Sequence, residues 1–172
     1  KSGGTDIKIR GVETKEPAFG LPAFWVEKGE KETLQAKGLV VVDPATVVTT
    51  HLTEIAKNYA DELLGRQEVQ FLLDNLALSH PAIVKELVPN MIPLGTLQKV
   101  LKSLLKEKIP IRDLMTILEV LAEYISMTKN VEVLTGYVRQ ALARTITRQY
   151  LDGEGNMTVV MVSPEIEDSI NR

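Results

Sequence analysis

The sequence predicts an α+β fold. A small α/β part comes first, a mainly helical array follows, and the chain ends in the first strand of a further α/β part. Three observations carry this. Up to Val42 the sequence reads as strands and turns. At Val40-Val41-Val42-Asp43-Pro44 a β-branched run meets an Asp that can cap a helix and a Pro at its first position. From there to Tyr150 the apolar residues recur at helical spacing. These set the boundaries at 1–43 for the α/β part (continuing into a helix over 44–64), 44–150 for the helical part and 151–172 for the last.

Asp6 to Val12, with Ile7, Ile9 and Val12, is a strand candidate, and Glu13 to Pro17 a turn or irregular connection. Leu21 to Glu27, centred on Phe24-Trp25-Val26, predicts a second strand, broken at Lys28-Gly29. Glu30 to Lys37 predicts a short helix stopped by Gly38. Leu39 to Val42, β-branched and without alternation, predicts a third strand buried on both faces. Strand, helix and strand in so short a span predict a compact βαβ-like unit.

Pro44 to Leu64 predicts a long helix ended by Gly65, with Val47, Val48, His51, Leu52, Ile55, Tyr59 and Leu63 as its stripe. Arg66 to Leu78 follows, then a helix opened by Pro81 and limited by Pro89. The next begins at Pro93 or Thr96 and carries Leu97, Val100, Leu101, Leu104 and Leu105 at i, i+3, i+4, i+7 and i+8. Ile111 to Met127 is helical, and Asn130 caps a last helix over Val131 to Tyr150. Short links predict a consecutive antiparallel stack. Asp152-Gly153-Glu154-Gly155-Asn156 is a turn cluster, Met157 to Val162 a strand, and Ser163-Pro164-Glu165 a helix start.

The 172 residues carry a formal charge of −3, with basic and acidic residues intermixed, so nucleic acid is not the expected partner. Lys99, Lys102, Lys106 and Lys108 fall on the polar side of an amphipathic helix and read as a solvated face. The sequence contains no Cys, which removes disulfides, thiolate metal sites and thiol nucleophiles. No apolar run reaches the roughly 20 residues that span a bilayer. The start, Lys1-Ser2-Gly3-Gly4, is polar and lacks Met, so the chain reads as a piece of a longer protein.

Candidate chemistry is sparse. His51 and His80 are the two histidines, and neither has a second His at i+3 or i+4. A metal or cofactor is therefore not expected. His51 reads as a partly buried helix residue bonding a neighbour, and His80 as a turn residue. Thr50 and His51 diverge by about 100° on their helix and do not readily bond each other. Arg112-Asp113 reads as a helix cap plus an inter-helix ion pair. No phosphate-binding glycine pattern occurs. Phe19 lies in Glu16-Pro17-Ala18-Phe19-Gly20-Leu21-Pro22, an extended segment where an aromatic is either a core plug or an exposed anchor for a partner.

That segment, extended to Trp25, is followed in order by Val42-Asp43-Pro44, Val47-Val48-Thr49-Thr50-His51-Leu52, Leu64-Gly65-Arg66-Gln67-Glu68-Val69-Gln70, Leu87-Val88-Pro89, Lys99-Val100-Leu101 and Ile109-Pro110-Ile111-Arg112-Asp113-Leu114. In these blocks the chain resembles the FlhA family of flagellar type III export-gate proteins, in their C-terminal cytoplasmic region. The resemblance runs from about residue 10 over nearly the whole chain. It implies a non-enzymatic docking and gating module at the cytoplasmic face of the bacterial inner membrane, itself without membrane contact. It implies the end of a thioredoxin-like first subdomain, a whole helical third subdomain and the start of a fourth, with the ferredoxin-like second missing or reduced to an edge before Thr14. The implied partners are export chaperone–substrate complexes, other export-apparatus proteins and further copies in a nonameric ring. Residue by residue, the docking positions become the acid Glu16, the aromatic Phe19, the apolar strand residue Val42 and the hydroxyl residue Thr50. The alternatives are a ring-scaffold fragment without a complete recognition surface, and the equivalent gate protein of a virulence secretion system. An enzyme using His51 is the least favoured reading.

Overall fold

The computed structural model describes residues 9–170. It comprises a small two-strand sheet followed by a helical bundle, and divides into two compact units, one up to Ala60 and one from Asp61.

In the first unit, β1 (Val12–Lys15) and β2 (Pro22–Trp25) pair antiparallel, with Val12 opposite Trp25 and Lys15 opposite Pro22. Of the strand expected at 6–12, residues 6–8 lie outside the described residues; the strand found occupies the stretch expected to be a turn. The turn falls instead at 16–21, where Gly20 supplies a φ of +70°. Next to β1, a Cβ at Gly11 would collide with the carbonyl oxygen of Trp25, so only glycine permits this approach of the two chains. Pro22 stands at the first position of β2, where strands tolerate proline.

A 3₁₀ turn (Lys28–Glu30) leads into α1 (Lys31–Ala36), which buries Leu34. Gly38, at φ +80°, ends it: Leu39 N–H donates to Leu34 O at 3.2 Å and Gly38 N–H to Gln35 O at 2.9 Å. This is the paired closure of a Schellman motif. The third strand expected at Leu39–Val42 does not form, and with it the βαβ-like unit falls away. Val40 is 92% exposed and Val42 49%. β-branched side chains favour a strand only where a neighbouring strand pairs and packs with them, and none does here among the described residues.

Asp43 then caps α2 (Pro44–Asn58), accepting from Thr46 N–H and Thr46 Oγ1, both at 2.9 Å. The helix is shorter than expected: Tyr59 closes it at φ −113°, and a separate turn, α3 (Ala60–Leu63), follows. Gly65 starts the next helix rather than ending this one.

The second unit holds α4 (Arg66–Ser79), α5 (Pro81–Leu87), α6 (Leu94–Lys106), α7 (Leu114–Tyr124), α8 (Val131–Ala141), α9 (Ala143–Arg148) and α10 (Pro164–Ile170). Its core runs through Val69 and Leu73 of α4, Leu97, Val100, Leu101 and Leu104 of α6, Ile117, Leu118 and Leu121 of α7, and Leu134 and Val138 of α8. Each such side chain contributes about 2 kcal/mol by leaving water. The packing is only in part the expected consecutive stack: α4 packs on α5, α7 on α8 and α8 on α9, but non-consecutive helices pack as well. α6 packs chiefly on α4 and α8, and α8 also packs on α7 and α9. Asp113 caps α7 through Thr116, and Asn130 caps α8 through Glu132 N–H at 2.9 Å. Arg112 is exposed, and among the described residues it joins neither the Lys57–Glu54 nor the Arg139–Glu107 ion pair, so the inter-helix pair expected of it is not seen there.

The last long helix is interrupted at Leu142 (φ −84°, ψ 8°), whose side chain stays in the core. The 157–162 strand is reduced to one bridge, Leu151 with Met157, closing the turn in which Asp152 accepts from Glu154 and Asn156 N–H. As at 39–42, no second strand pairs with it among the described residues.

Candidate functional site

Glu16, Phe19, Val42 and Thr50, the positions expected to dock a partner, all lie in the first unit. Two of them meet in the hairpin loop. Pro17 has no N–H, so the first free amides after Glu16 are those of Ala18 and Phe19. The Glu16 carboxylate collects both: Ala18 N–H donates to Oε1 and Phe19 N–H to Oε2, each at 2.7 Å. The Glu16 backbone closes the same loop, donating to Leu21 O and accepting from Gly20 N–H, both at 2.8 Å. The acid is half-buried, while the Phe19 side chain is 62% exposed. The Phe19 ring is therefore not a core plug in this chain.

Val42 and Thr50 carry no hydrogen bond to that pair. Val42 is an exposed residue of the irregular 39–43 segment, not a strand residue, and precedes the Asp43 cap. The Thr46 N–H beside Asp43 holds its carboxyl below the ordinary value of 3.8, aided by the Thr46 hydroxyl. Thr50 is half-buried in α2. On the same helix Val48, Leu52, Ile55 and Tyr59 are exposed, so the apolar stripe read as an inward face is open in this chain.

The role of the Glu16 carboxylate inside the loop was not read from the sequence. The available signal was an acid followed by Pro and then by amides two and three residues on, the spacing at which short side chains cap turns.

His51 does not make the neighbour bond expected of it: its Nδ1 is shut from solvent and has no partner among the described residues. His80 does sit at a turn, between α4 and α5, with Nδ1 2.8 Å from Ser79 Oγ. Among the described residues no group of three or more His, Asp or Glu is placed to hold a metal ion. No described helix is long and apolar enough to cross a membrane. Surface depressions of about 570 Å³ on α8, beside Val133 and Tyr137, and about 390 Å³ at Met161 and Ile170 include none of these four expected positions.

The fold is similar to that of solved structures, one of them a cytosolic domain from the type III secretion system. The Chlamydia pneumoniae CdsV protein is similar at a TM-score of 0.77 and 35% identity, over 88% of this chain and 45% of that one. The nonameric EscV cytosolic domain from the type III secretion system is similar at 0.63 and 28%, over 87% of this chain and 45% of that one. The FHIPEP family model matches residues 1–172, and the chain belongs to the FHIPEP family. The flagellar biosynthesis protein FlhA of Bacillus subtilis is 48% identical over 96% of this chain. The resemblance read from the sequence blocks is thereby borne out. The chain spans about a quarter of the length of the curated relatives it matches, 24% in that case.

Proposed function

We propose that this chain is a docking and gating module of a bacterial flagellar type III protein export apparatus. It receives export chaperone–substrate complexes at the hairpin loop and contributes to a ring of identical subunits at the cytoplasmic face of the inner membrane. The observation that carries this reading is the exposed Phe19 ring on a loop closed by its own hydrogen bonds. A large aromatic on an ordered loop binds at small entropic cost and supplies much of an interface's energy. Val42 would extend the apolar contact, and Thr50 would orient the partner through its hydroxyl. Identity of 48% to a flagellar relative, against 28% to the EscV domain, supports the flagellar branch over the virulence branch. On this reading the hairpin, α1 and α2 are part of a thioredoxin-like subdomain. Residues 44–150 carry the helical part, and 151–172 open a further α/β subdomain.

A second reading, a ring scaffold without a complete recognition surface, is favoured by the likeness to a domain described as nonameric. Calorimetric titration with a filament-type flagellar chaperone–substrate complex separates the two. Docking predicts saturable binding that Phe19→Ala weakens strongly with little loss of fold. The scaffold predicts no binding and concentration-dependent self-assembly.

A further inference from the structure

We infer that Glu16 is a positioning residue for Phe19: its carboxylate holds the 16–21 turn in the form that presents the ring. This rests on the docking reading above. All the polar groups of Glu16 are engaged inside the loop. Its N–H donates to Leu21 O and its carbonyl accepts from Gly20 N–H, both at 2.8 Å, and each carboxylate oxygen accepts one amide at 2.7 Å. Those distances are at the short end expected for charge-assisted bonds. The second of the two amides is Phe19's own, so the carboxylate is one peptide group from the residue it presents.

The arrangement also separates the two side chains by exposure. Glu16 is half-buried and bent back over its own turn, and Phe19 faces solvent. Each carboxylate oxygen accepts one backbone amide, so the group's first contribution is to hold the turn, whatever else its remaining lone pairs meet. Without it, both amides turn to water and the loop gains conformers. The partner then has to order the loop when it binds Phe19, and affinity falls. The loss travels through the ring, with no contact of its own to Glu16.

The test is calorimetric titration of the 172-residue chain with a filament-type flagellar chaperone–substrate complex. It compares Phe19→Ala, Glu16→Ala, Glu16→Gln and the Glu16→Ala/Phe19→Ala double variant. Amide hydrogen exchange at Phe19 is read on each free chain with an intact Phe19, and far-UV circular dichroism checks each fold. Glu16→Ala is expected to weaken binding by about tenfold or more, the scale of losing hydrogen bonds to a charged group. Glu16→Gln keeps one of the two acceptors and loses the charge, and is expected to fall between Glu16→Ala and the unsubstituted chain. The double variant should bind no worse than Phe19→Ala alone. Exchange at Phe19 should quicken in Glu16→Ala and less so in Glu16→Gln. Binding lost equally in Glu16→Gln and Glu16→Ala with exchange unchanged overturns the inference, as does a Glu16→Ala loss that adds in full to that of Phe19→Ala. Undiminished binding by Phe19→Ala, or none by the unsubstituted chain, overturns the docking reading and this inference with it.

Discussion

The rings of Tyr124, at the end of α7, and Tyr137, in α8, lie stacked, with centroids 3.9 Å apart and planes 15° from parallel. They join two helices whose cores already meet through Leu121, Leu134 and Val138. The Glu123 carboxylate beside Tyr124, with some desolvation, raises its hydroxyl above the ordinary value of 10, so the ring stays neutral at physiological pH. A double-mutant cycle with Tyr124→Leu and Tyr137→Leu is expected to give a coupling of about 1 kcal/mol in urea unfolding. Purely additive losses would mean that the rings contribute burial alone.

Leu101 in α6 is fully buried, and Val40 in the 39–42 segment is 92% exposed. Leu101→Ala is expected to cost about 3 kcal/mol of stability by leaving a cavity. Val40→Ala is expected to change it by less than about 0.5 kcal/mol. A large loss for Val40→Ala would restore the buried strand that the β-branched run suggested.

Lys108 holds a φ of 60° just past the end of α6. Its N–H donates to Leu105 O and that of Ile109 to Leu104 O, both at 2.9 Å, the same closure that Gly38 makes after α1. A side chain in this left-handed position carries a steric cost that glycine avoids. Lys108→Gly is expected to raise stability by about 1 kcal/mol. A lowered melting temperature would show that contacts of the lysine side chain outweigh its backbone conformation.

The Asp43 cap makes stability pH-dependent. The Thr46 N–H, then the Thr46 hydroxyl, holds its folded-state pKa below 3.8. The unfolded chain therefore binds this proton first as pH falls. The capping contribution is complete above the unfolded value and is lost as pH drops through the folded one. Asp152 shifts in the same direction, chiefly through Asn156 N–H, so the test compares chains differing only at residue 43. Asp43→Asn keeps a capping carbonyl and should flatten the fall in melting temperature below pH 4 relative to the unsubstituted chain. Parallel curves would mean that Asp43 ionisation contributes nothing to folding.

Local chemistry was legible wherever a few adjacent residues decide the outcome. Asp43-Pro44 and Asn130 start helices because a side chain three or two residues away reaches an unpaired N–H. Gly38 ends one because it alone pays no Cβ penalty at φ +80°. The hairpin loop was legible as a segment, from Glu16 to Pro22, but not in its internal bonding. That an acid would bend back onto Ala18 and Phe19 follows from the path of the turn, which residue types alone do not fix.

By itself the sequence determined the order of strand-and-turn part and helices, the apolar faces of α4, α6, α7 and α8, the caps, and family membership. Each depends on residue type at short spacing. Tertiary structure decided whether an apolar run finds a partner. Leu97, Val100, Leu101 and Leu104 do, because α4 and α8 close over them. Leu39 to Val42 and Met157 to Val162 form no ladder, because the second strand that any ladder needs is not beside them among the described residues. Periodicity specifies which face can be buried; the neighbouring element that covers it comes from elsewhere in the fold.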